Sequence, residues 1–89
     1  MTVLVKVMLK PGVLDPQGKA IADALRRLGF TAVSDVRAGK LFRIDVDTYD
    51  PKQAKEVGSQ MAEKLLSNPV IEDYELLLET EGAPAGVAP

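Results

Sequence analysis

Apolar positions along this chain fall into two matching runs, each a strand-like alternation, a helix-like stripe and a second strand-like segment. In the first, Val3, Val5, Val7 and Leu9 alternate with Leu4, Lys6, Met8 and Lys10, the period of a half-buried strand. Pro11-Gly12 breaks it. Asp15 is placed to cap a helix and Pro16 to take its first position. Ile21, Ala24, Leu25 and Leu28 then recur at helical spacing, until Gly29 with Phe30 behind it offers a left-handed ending. Ala32–Val36 is strand-like again. The second run repeats the recipe with Leu41–Thr48, Asp50-Pro51, a helix over Lys52–Leu66, an Asn68-Pro69 stop and a strand over Val70–Leu78. Its buried stripe is Ala54, Val57, Gly58, Met61 and Leu65. Glycine inside a helix costs about 1 kcal/mol against alanine, so Gly58 points to close packing of that helix on a sheet. The pattern predicts an α+β fold of two β-α-β halves in a single domain, residues 1–80, with the Ala/Gly/Pro-rich stretch 81–89 as a flexible tail.

The middle of the chain admits three readings. A two-residue hairpin at Ala38-Gly39 puts Phe42, Ile44 and Val46 on one face with Arg37, Asp35 and Val33, mixing core and solvent. A three-residue loop over Ala38–Lys40 repairs the parity but leaves Gly39 in the middle, where the left-handed position is normally the third. Without a turn, Ala32, Val36, Ala38, Phe42, Ile44 and Val46 share one parity, with Lys40 the exception. A single long central strand, about 32–48, would span roughly 50 Å and separate the two halves, so that each needs a second chain to complete its sheet. The continuous strand, completing the sheets across a dimer, is preferred.

Composition sharpens this picture by exclusion. At 89 residues a lone core buries only roughly 60–65% of the unfolded surface, so burial against another subunit would help. There is no cysteine and no histidine, which removes thiolate chemistry, the commonest general base and the commonest transition-metal ligand. The net charge of −2 argues against a nucleic-acid partner. No apolar run reaches the ~18 residues of a membrane span, so a cytoplasmic protein is expected. Asp45 and Asp47 alternate on a solvent-leaning strand face, where solubility explains them better than acid/base work. Gly12 and Gly18 do not form a phosphate cradle, because no Lys-Ser/Thr follows and Asp15 would repel an anion. Aromatics are too few for a base-stacking sheet.

Binding surface is left. Leu4, Met8, Leu41 and Leu77 fall among Lys6, Lys40, Arg43 and Asp45 on strand positions, as in a polar-rimmed interface, although scattered surface apolar residues are also ordinary. Gly12, Val13, Leu14, Asp15, Gln17 and Gly18 form a loop that either docks a partner or simply caps its own helix. Arg37, Lys40 and Arg43 are candidate interface charges, with plain solvation as the alternative. No catalytic, cofactor-binding or metal-ligating residue is assigned.

Four ordered motifs carry a resemblance: Pro11-Gly12-Val13-Leu14-Asp15-Pro16-Gln17-Gly18, then Leu28-Gly29-Phe30, then Val36-Arg37-Ala38-Gly39-Lys40, then Leu65-Leu66-Ser67-Asn68-Pro69-Val70-Ile71-Glu72-Asp73-Tyr74. Together they resemble the PurS family over about residues 2–79. Ala38 stands where a bulkier residue is expected and Ala62 where cysteine is common. The resemblance implies a ferredoxin-like, dimerising or tetrameric small subunit of phosphoribosylformylglycinamidine (FGAM) synthase. Such a subunit has no catalytic residue of its own. It bridges a PurQ-type glutaminase and a PurL-type synthase and helps ammonia pass between them. The complex uses ATP, Mg and glutamine, none of them bound by this chain. Lys10-Pro11-Gly12-Val13-Leu14 also resembles the ligand loop of ACT-type amino-acid sensors, the alternative reading. An acylphosphatase-like hydrolase is disfavoured because the loop carries Asp15 and no arginine.

Overall fold

A computed structural model describes residues 1–79; the expected tail, 81–89, lies outside the described residues. Strand β1 (Thr2–Leu9) leads to helix α1 (Pro16–Arg27), strand β2 (Gly39–Asp45), helix α2 (Pro51–Met61), a π-helical turn (Ala62–Leu66) and strand β3 (Glu72–Glu79). The three strands form one antiparallel sheet in the order β2-β1-β3. The described chain is long and thin, with principal extents of 47 × 33 × 15 Å.

The alternation in β1 does what its period requires. Val3, Val5 and Val7 are buried, and lie opposite Ile44, Phe42 and Lys40 on β2 and Leu78, Leu76 and Tyr74 on β3. Helix α2 covers this face with Ala54 and Gly58, and Ala62 at the start of the π-helical turn continues the contact. Gly58 is where the sequence places a close approach, and the expectation holds: a Cβ there would stand 3.0 Å from Val3 Cγ1. Both helices begin as read. Asp15 Oδ1 accepts the Gly18 amide at 2.8 Å and Asp50 Oδ1 the Lys52 amide at 3.0 Å, each followed by proline. Helix α1 ends in a Schellman motif: Gly29 has φ +103°, Phe30 N–H donates to Leu25 O and Gly29 N–H to Arg26 O, both at 3.0 Å.

Three expectations need correction. Leu65 does not join the core: it is 84% exposed. The π-helical turn at Ala62–Leu66 takes an extra residue into the turn, with Ser67 N–H donating to Ala62 O, so Leu66 reaches the core in its place. The central strand is regular only over 39–45, against an expected 32–48. Neither hairpin forms, because β2 pairs only with β1 and no ladder joins residues 32–38 to it. A strand needs a neighbour, and the backbone before Gly39 spends its polar groups elsewhere: Val33 O and Ser34 O accept from Arg26, and Ala38 N–H donates to Asp15. Finally, the stripe on α1 is not core. Ile21, Leu28 and Phe30 are exposed, and α1 makes no substantial packing with any strand. Residues 16–38 thus form an arm that projects from the sheet.

Candidate interface

Two uncovered surfaces follow from this architecture. The first is the face of the sheet opposite α2. Its positions are Thr2, Leu4, Lys6 and Met8 on β1, facing Asp45, Arg43, Leu41 and Gly39 on β2 and Glu79, Leu77, Glu75 and Asp73 on β3. Leu4, the central residue, is buried between its neighbours, whereas Leu41 and Leu77 are 63% and 45% exposed. Charge rims them. Arg43 Nε lies 3.0 Å from Glu79 Oε2, and the looser pairs Lys6–Glu75 and Lys10–Asp73 are each 3.9 Å apart. Leu4, Met8, Leu41 and Arg43 therefore share one face, as expected. Lys40 does not: it stands opposite Val7, on the α2 side.

The second surface is the arm. The loop feeding it turns at Pro11-Gly12, where Val13 N–H donates to Lys10 O at 3.1 Å and Gly12 has φ +87°, a type II turn that needs glycine at its third position. Leu14 projects outward, 75% exposed. Asp15 is the buried polar residue of the described chain. Its Oδ1 caps α1 and its Oδ2 accepts the Ala38 amide at 2.8 Å. These two backbone donors hold its carboxyl below the usual carboxylate value, and the Arg37 charge adds to them while burial opposes. Arg37 reaches the same loop from the returning segment of the arm, donating to Val13 O at 3.3 Å and Lys10 O at 3.4 Å. Gly18 is buried, and a Cβ there would collide with Val36 O, so glycine is required. Gln17 is exposed. The structure thus brings Gly12, Val13, Asp15, Gly18 and Arg37 together into one joint. The residue types alone carried no sign that Asp15 binds Ala38 as well as its own helix.

Between the loop and the arm lies an open groove of ≈ 470 Å³ lined by Val13, Asp15, Lys19, Asp23, Arg26 and Arg37 among others. A second, ≈ 480 Å³, lies beside Lys10, Glu63, Ser67 and Tyr74, where Ser59 Oγ and Tyr74 Oη are 2.7 Å apart and Tyr74 donates to Glu63 Oε1 at 2.9 Å. Among the described residues, no group of three or more His, Cys, Asp or Glu could hold a metal ion, and no helix is long and apolar enough to cross a membrane.

A small α+β chain with one covered and one open sheet face, and a helix carried on an arm, leaves apolar surface open to other chains. Comparison with known proteins identifies the family. The family model for PurS, phosphoribosylformylglycinamidine (FGAM) synthase, matches residues 2–80, and the chain belongs to that family. It is 48% identical over 79 residues to the FGAM synthase subunit PurS of Mycobacterium leprae, covering 88% of this chain and 95% of that protein. Crystalline PurS of Methanocaldococcus jannaschii, one of the subunits of formylglycinamide ribonucleotide amidotransferase in the purine biosynthetic pathway, superposes with a TM-score of 0.78 at 41% identity, over 85% of this chain and 92% of that one. A chain of the PurLQS structure from Thermotoga maritima superposes with the same TM-score, 0.78, at 32% identity, over 85% and 93%. The chain is accordingly an accessory subunit of a ligase of purine biosynthesis, and the amino-acid-sensor alternative falls.

Proposed function

We propose that this chain is the connector of a three-part FGAM synthase. It holds a PurQ-like glutaminase and a PurL-like synthase in register and shields ammonia on its way from one to the other. The complex is an ATP-dependent amidotransferase working with Mg and glutamine in the cytoplasm, and this subunit performs no bond chemistry itself. Ammonia released into water protonates and diffuses away, so a seal between two active sites raises the yield of each glutamine cleaved.

The observation that carries this reading is the uncovered α1 arm in a chain related to a component of PurLQS. Leu28 at 75% and Phe30 at 58% exposure belong under something. In a ferredoxin-like chain closed on itself, residues 32–38 would turn back along the free edge of β2 and α1 would lie beside α2. Here the edge is free and α1 stands away. A second copy supplies both: its arm adds the missing edge strand, and its α1 covers the β2 side of the core, where Phe42, Ile44 and Val46 are only partly buried. The working unit is then a dimer with exchanged arms. Its doubled surface, including the loop 11–18, Arg37, Lys40, Arg43 and the open sheet face, meets the larger subunits.

Size-exclusion chromatography of the chain mixed with purified glutaminase and synthase subunits, with and without glutamine and ADP, tests the connector. Co-elution of all three under at least one condition is expected. Failure to join either partner under every condition would overturn it.

A further inference from the structure

The exchanged dimer raises a question of choice, since the same chain could close its arm onto its own β2. Phe42, Ile44 and Val46 would keep a consistent face under closure by a three-residue hairpin loop at Ala38–Lys40. These are the residues the structure holds straight. Ala38 N–H is taken at 2.8 Å by Asp15 Oδ2, while Oδ1 of the same carboxylate is fixed by the Gly18 amide at 2.8 Å. Gly39 is already in the ladder opposite Met8, and a Cβ on it would collide with Met8 Sδ. Arg37 ties the preceding residue to Val13 O and Lys10 O. The second Asp-Pro motif shows that a helix cap alone does not require this: Asp50 accepts from Lys52 N–H and is exposed, whereas Asp15 is buried.

We propose that the Asp15 carboxylate is a latch that keeps the chain from turning back at Ala38–Lys40 and so commits the α1 arm to a second copy. It is a positioning residue, acting through the Ala38 amide. The inference rests on the exchanged-dimer reading above and adds the residue that selects exchange over closure.

Substituting serine at both Asp-Pro caps separates latch from cap. Serine caps a helix about as well as aspartate, but it is shorter and carries one oxygen where the carboxylate presents Oδ1 to Gly18 and a separate Oδ2 to Ala38. Asp15→Ser should raise the dimer dissociation constant about tenfold or more, the factor for losing a charge-assisted hydrogen bond. It should also speed hydrogen exchange at the Ala38 amide. Asp50→Ser should leave both unchanged. If Asp15→Ser fails to fold, Asp15→Asn serves: it replaces one of the two acceptor oxygens by an NH2 donor, so the Gly18 and Ala38 amides no longer each face an acceptor. A dimeric wild type whose latch variants dimerise equally well overturns the latch alone, as does equal weakening by Asp50→Ser. A monomeric wild type overturns the exchanged dimer and the latch together.

Discussion

Gly58 and Val3 meet where helix α2 crosses strand β1, with 3.0 Å between Val3 Cγ1 and the position a Cβ on Gly58 would take. Two effects oppose each other in Gly58→Ala. Helix propensity favours alanine by about 1 kcal/mol, whereas forcing a methyl group into a packed core costs about 1–3 kcal/mol. Val3 is fully buried and cannot move aside. Gly58→Ala should therefore be net destabilising by about 1 kcal/mol, and Gly58→Val by clearly more. Urea unfolding measures both.

The π-helical turn makes the two adjacent leucines unequal. Leu66 packs against the core cluster and Leu65 is 84% exposed. Leu66→Ala should cost about 2 kcal/mol, whereas Leu65→Ala should change stability by less than about 0.5 kcal/mol. Unfolding midpoints of the two variants check the register, and a continuous α-helix through Leu66 would reverse their order.

Asp15 should write its signature into acid stability. Its folded carboxyl lies below the ordinary 3.8 because Gly18 and Ala38 amides, with Arg37, favour the charged form. A depressed carboxyl stabilises the fold fully above the ordinary value, and that stability drains away as pH falls from about 3.8 through the lower folded value. Arg37 faces it from the arm, and Lys19, Lys40 and Glu72 line the adjoining grooves. Those groups are present in both wild type and Asp15→Asn, so the difference between the two isolates Asp15. That difference in unfolding free energy should be flat near neutrality and shrink below about pH 4, as read by denaturant melts across pH.

The apolar face of α1 separates folding from assembly. Leu28 is 75% exposed in the single chain, so Leu28→Asp should leave the circular dichroism spectrum intact while converting the proposed exchanged dimer to monomer in light scattering. A variant that stays dimeric would remove α1 from the interface.

Local signals proved legible wherever a short stretch decides its own structure. The alternation of Val3, Val5 and Val7, the Asp15-Pro16 and Asp50-Pro51 starts and the Gly29 ending all formed as their chemistry requires. Gly58 announced a helix–sheet contact by its cost. What escaped the sequence depends on distant partners. The stripe Ile21, Ala24, Leu25 and Leu28 reads as core in any helix, and periodicity says nothing about which chain covers it. Leu65 and Leu66 exchange roles through a π-helical turn, wider by one residue, that no local motif marks. Parity sets Lys40 apart as an exception, but its neighbours still suggest the open face. The family resemblance, by contrast, rested on four motifs spread along the chain and survived every comparison.

Activity of the reconstituted synthase on its two nitrogen sources tests the connector role most directly. With glutaminase and synthase subunits present, withholding this chain should abolish glutamine-dependent FGAM formation while ammonia-dependent formation by the synthase partly survives. A glutaminase–synthase pair that runs at full rate on glutamine without it would contradict the account.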